Sequence, residues 1–100
     1  MTDLQSLVTF CEEGIPFNRL LGIRVREITE GRCELEIPVR DELIGDPDRP
    51  ALHGGVTSAL ADAAGGFAVW SMLKDGDRAS TVDIRVDYLR PGRLDRNIQA

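Results

Sequence analysis

Asp62 is the residue whose surroundings most suggest chemistry. From Gly54 to Leu73 it is the only ionisable side chain in a run of apolar and small residues. A carboxylate taken out of water without a partner is costly, so chains seldom keep one there without a partner or a task. Its task would be that of a general base or nucleophile in a dry pocket. The structural reading is a buried carboxylate satisfied by the hydroxyls of Thr57, Ser58 or Thr81, or by backbone amides. Just upstream stands His53-Gly54-Gly55. Two glycines at the start of a helix leave backbone N–H groups free at the positive end of the dipole, where a polar oxygen can approach closely. Such a site polarises a carbonyl and holds the oxyanion formed on attack. The plain reading of the same residues is a glycine-rich turn into a helix.

Spacing constrains how these groups can cooperate. Asp62 lies seven residues after Gly55, about 10 Å along a helix axis and on nearly the same face. A reacting carbon must sit within ~3–3.5 Å of its attacking group and close to its oxyanion donors. One helix therefore cannot offer both groups to one substrate, whereas two antiparallel copies can. His53, the only histidine, sits at the helix entrance, where capping or loop bonding is role enough. No GxSxG elbow and no glycine-rich phosphate loop occurs.

The elements that must position these residues follow from periodicity. Leu4, Leu7, Val8 and Cys11 recur at helical spacing over 3–13, with Gly14 as a stop and Ile15-Pro16-Phe17 as a break. Gly22 to Arg26 alternates as a strand, Glu30-Gly31 turns the chain, and Cys33 to Val39 alternates again, so the two form an antiparallel hairpin. Pro38 marks an edge or the end of pairing. Residues 40–52 read as a polar loop and 54–73 as a long apolar helix that must be covered on several sides. Val82, Ile84, Val86 and Tyr88 share one face of a strand over 81–88, and 94–100 opens another. An antiparallel sheet curved around the long helix accommodates this order, an α+β architecture.

Composition narrows the rest. At 100 residues and 42% apolar content the chain is one small domain, residues 1–100. A net charge of −5 argues against a nucleic-acid partner. The apolar run at 54–73 has the length of a bilayer span, but its glycines and the central Asp62 favour a buried helix over a membrane partner. Cys11 and Cys33 form no CxxC pair, and with one histidine they offer no zinc site. They read as buried thiols in a reducing compartment, and the acidic N-terminus is no signal peptide, so the expected location is cytoplasmic.

The run Asp46-Pro47-Asp48-Arg49-Pro50-Ala51-Leu52-His53-Gly54-Gly55-Val56-Thr57-Ser58-Ala59-Leu60-Ala61-Asp62 resembles the signature of the PaaI-type hotdog thioesterases. So do Thr81-Val82-Asp83-Ile84, Tyr88-Leu89-Arg90-Pro91-Gly92 and Leu20-Leu21-Gly22-Ile23. The resemblance implies a hotdog fold and hydrolysis of acyl-CoA thioesters with neither metal nor organic cofactor. It implies homodimers, often paired into homotetramers, with composite sites. In that scheme Asp62 activates water or attacks the thioester, the amide of Gly54 or Gly55 polarises its carbonyl, Thr81 positions water and His53 supports. Asp46, Val82, Arg90, Pro91 and Gly92 fall at substrate-binding positions. Members often carry Asn in the loop before the glycines, where this chain has Asp46, or Asp48 if the loop is shifted; an ionised carboxylate cannot donate there.

The family's domain continues for several more strands, which implies a C-terminally truncated hotdog with the last strands missing. Two other readings accompany the thioesterase: a non-catalytic acyl-CoA-binding module, and an inactive truncated remnant. Arg85, Arg90, Arg93 and Arg96 suit the phosphates of CoA, or an ordinary charged strand and turn.

Overall fold

In the computed structural model, which describes residues 3–100, Asp3 caps the first helix: its carboxylate accepts from the amides of Gln5 at 3.3 Å and Ser6 at 3.2 Å. Helix α1 (Leu4–Thr9) runs into a π-helical turn (Phe10–Gly14). A second short helix, α2 (Pro16–Leu21), follows where a break was expected. The helical run does end before Pro16, at Gly14, but a proline at the first helical position also opens a helix, because its missing N–H would be unpaired there anyway.

Strands β1 (Arg24–Thr29) and β2 (Arg32–Ile37) form the expected antiparallel hairpin, turned at Gly31, whose φ is 77°. β1 runs further than the alternation indicated. The register shifts between Val25 and Glu27, and the bulge lets both Val25 and Ile28 pack against the core although they are three residues apart. β2 ends before Pro38. Its inward Leu35 and Ile37 are fully buried, while Glu34 and Glu36 pair with Arg32 and Arg26 on the wet face at 2.9 and 3.1 Å. Those exposed pairs add little stability. The loop over 40–52 is more ordered than a coil: a 3-10 turn (Asp41–Leu43) leads into the small antiparallel pair β3 (Ile44–Asp46) and β4 (Ala51–Leu52).

Helix α3 (Gly54–Trp70) lays Val56, Leu60, Ala64 and Phe67 against β2, a stripe at the expected spacing. Strand β5 (Ile98–Gln99) joins the far edge of β2, giving a three-stranded antiparallel sheet of order β1-β2-β5. The sheet covers one side of α3, and among the described residues the helix is not enclosed all round: Val69 stands 52% exposed.

Residues 81–88 correct a second expectation. They enter no ladder with the described residues, and Val82 is 99% exposed. The segment instead runs antiparallel along α3. Trp70 Nε1 donates to the Ala79 carbonyl (3.2 Å), Thr81 meets Asp62, Tyr88 meets Gly54, and the Leu52 amide donates to the Gly92 carbonyl (3.3 Å). Alternation reports two different faces; it does not report whether a hydrogen-bonding neighbour is present.

Candidate active site

At its N-terminus α3 begins where β4 delivers the chain to His53, whose amide donates to the Leu43 carbonyl at 2.8 Å. The His53 Nδ1 accepts the Gly55 N–H at 2.8 Å, so this histidine is the helix cap. The expectation that both glycine amides stand free is corrected for Gly55. Gly54 N–H is the amide that finds no acceptor among the described residues. Tyr88 packs beside Gly54: its hydroxyl donates to the Gly54 carbonyl at 2.7 Å and is hydrogen-bonded to Ser58 Oγ. A Cβ built on Gly54 would come within 3.0 Å of the Tyr88 ring, so the close approach suits glycine. Arg90, Pro91 and Gly92 line a cavity of about 520 Å³ at this end, together with Gly54 and Tyr88.

Two turns further along α3, Asp62 Oδ1 accepts a hydrogen bond from Thr81 Oγ1 at 2.5 Å. No other donor reaches this carboxylate from the described residues. Asp62 is exposed where a dry pocket was expected: among the described residues the segment carrying Thr81 reaches that face of α3 without closing over it. It lines two adjoining cavities, one of about 280 Å³ with Gly65, Val69 and Ile84, and one of about 500 Å³ with Phe17, Gly66, Phe67 and Trp70.

The sequence-derived residues therefore fall into two groups. His53, Gly54, Gly55, Arg90, Pro91 and Gly92 gather at the start of α3, and Asp62 with Thr81 two turns away. Asp46 stands apart from Asp62, accepting the backbone amides of Asp48 and Arg49 at 3.0 and 3.2 Å and holding the β3–β4 turn. Val82 projects into solvent. Tyr88, expected on one strand face with Val82, Ile84 and Val86, reaches the Gly54 carbonyl instead. A lone hydroxyl at the end of an apolar face was the only sign available. Among the described residues, no three His, Cys, Asp or Glu side chains gather as metal ligands, and no helix is long and apolar enough to cross a membrane.

The family model of the thioesterase superfamily, 4HBT, matches residues 50–100, which carry both groups of site residues. The chain belongs to this superfamily. Escherichia coli YigI, described as a medium/long-chain acyl-CoA thioesterase, is 37% identical over 95 residues, 82% of this chain and 61% of its own. A protein of Halobacterium salinarum is 40% identical over 78 residues, 75% of this chain and 52% of its own. The chain thus spans between half and two thirds of the length of these curated relatives. A thioesterase family protein from Silicibacter pomeroyi superposes with a TM-score of 0.85 at 26% identity, covering 97% of this chain and 69% of that one. Such neighbours place the helix on its antiparallel sheet as the α+β hotdog fold of the superfamily.

Proposed function

We propose that this chain is a PaaI-type domain that hydrolyses acyl-CoA thioesters to free acid and CoA, at sites shared between two copies of the chain. The carrying observation is the separation of its two groups: an unpaired Gly54 N–H at the head of α3, and an exposed Asp62 held by Thr81 about 12 Å further along the helix. In an antiparallel pair, Gly54 of one copy faces Asp62 of the other. Asp62 takes a proton from water, the water oxygen attacks the thioester carbon, and Gly54 N–H receives the developing oxyanion. Collapse breaks the C–S bond, and the CoA sulfur recovers the proton. Direct attack by Asp62, forming an anhydride that water then cleaves, uses the same geometry. Thr81 orients the carboxylate and the water. His53 fixes the glycine turn, and Arg90, Pro91 and Gly92 lie where the CoA moiety enters. The free thiols of Cys11 and Cys33 support a cytoplasmic setting.

The test is thiol release from a panel of acyl-CoAs, with this chain and Asp62→Ala assayed side by side and their masses taken by light scattering. The reading predicts turnover by a dimer or tetramer, reduced about 10²–10⁴-fold in the variant. A folded oligomer that binds acyl-CoA without turnover would make it a binding module instead.

A further inference from the structure

The larger cavity beside Asp62 has a shape that bears on which acyl groups fit. Asp62, Gly66 and Trp70 recur every four residues on α3, so they form one line along the helix. Over Gly66 the space is open: a Cβ built there meets nothing within 4 Å. A mid-helix glycine also forfeits helix stability relative to alanine, and no close neighbour of this chain explains that choice. At the far end the line is stopped. The Trp70 ring stacks on Phe10, with centroids 6.0 Å apart and planes inclined by 28°, and Phe10 in turn meets Phe67 edge-on at 6.3 Å. Phe10, Ile15, Phe17 and Phe67 give the cavity apolar wall, Asn18, Arg78, Ser80 and Thr81 add polar groups to its lining, and the volume of about 500 Å³ is that of a small-molecule site.

We infer that the acyl chain lies along α3 from Asp62 across Gly66, and that Trp70, backed by Phe10, sets its maximum length. This inference rests on the thioesterase reading of Asp62. The eight residues from Asp62 to Trp70 span about 12 Å. An extended chain advances ~1.3 Å per carbon, so it reaches the indole after about eight to ten carbons. The favoured substrates are medium-chain acyl-CoAs. Trp70 also donates to the Ala79 carbonyl and so anchors the segment carrying Thr81; its bulk and its hydrogen bond must be separated experimentally.

Two readouts do this. The first is kcat/KM for a series from butanoyl- to hexadecanoyl-CoA, in the unaltered chain and in Trp70→Ala, Trp70→Phe and Gly66→Leu. Each accommodated methylene is worth about fourfold. Trp70→Ala should raise hexadecanoyl relative to octanoyl at least ~10-fold, and Gly66→Leu should shift preference towards butanoyl by a similar ratio. Trp70→Phe, which keeps bulk and loses the bond to Ala79, should retain the original length preference whatever its rate. The second readout is fluorescence of Trp70, the only tryptophan, in Asp62→Asn titrated with S-alkyl-CoA thioethers of graded length. Emission should change once the chain reaches the indole and stay unaltered for short chains. Turnover with the same length profile in all variants overturns the inference and leaves the hydrolase reading standing. A length-dependent emission change without turnover on any acyl-CoA upholds the groove and removes the hydrolase. Silence in both removes both.

Discussion

Thr81 is the one donor that reaches Asp62 among the described residues, so it controls where that carboxylate points. A hydrogen bond to a charged group is worth ~1.5–3 kcal/mol. Thr81→Val should therefore cost about 10- to 100-fold in kcat/KM, and Thr81→Ser should recover most of it, read by the same thiol-release assay. The two cysteines make an independent residue-scale prediction. Burial pushes the Cys11 thiol up to about 12, with Cys33 and Glu12 adding to it, and burial pushes Cys33 up to about 11. Both are protonated in the folded chain at neutral pH, so a thiol reagent should label them slowly until the chain unfolds. The unfolded thiols ionise near 9.0, before the folded ones. Stability is then unaffected by these groups below that pH and declines as pH rises towards the folded values, a trend that urea unfolding at several pH values would show. Asp62 and the glycine pair were legible because a lone charge and paired glycines contrast with their neighbours. The occupation of Gly55 N–H by His53 was not, since a side-chain rotamer leaves no trace in residue order.

At the scale of elements, the end of α3 is tied to the β1–β2 turn through Ser71. Its hydroxyl is fully buried, accepting from the Gly31 amide at 2.8 Å and donating to the Ala68 carbonyl at 2.6 Å. Ser71→Ala leaves the Gly31 amide without its acceptor and should destabilise the chain by about 1–3 kcal/mol in urea unfolding. Helix α3 and β2 were legible from periodicity and turn residues because each keeps one consistent buried face, whereas of the strand expected over 94–100 only Ile98–Gln99 pairs. Three features were not. The bulge at Arg26 breaks the alternation in the middle of β1. Pro16 signals both a stop and a start. Residues 81–88 carry a strand's pattern without a partner strand in the described chain, and pairing depends on the neighbour as well as on the segment.

For the whole molecule, the extents of 47 × 24 × 20 Å describe an elongated shape, and Val82, Leu89, Val69 and Ile84 lie 99%, 86%, 52% and 46% exposed. Apolar side chains gathered along one segment and the helix beside it suit the association surface that we propose. In our reading a second copy covers this side of α3, and the edge at 81–88 pairs across the dimer. Val82→Lys should then lower the mass seen by light scattering and reduce turnover with it, because Gly54 and Asp62 meet only across the interface. The most direct test of that claim is complementation. Asp62→Ala and Gly54→Val are each prepared, shown to be inactive, unfolded together and refolded as a mixture. A site shared between copies predicts that activity returns, to about a quarter of the unaltered level, because half of the random dimers are mixed and each mixed dimer keeps one intact site. A mixture as inactive as its components would contradict the account and place the whole site within a single chain.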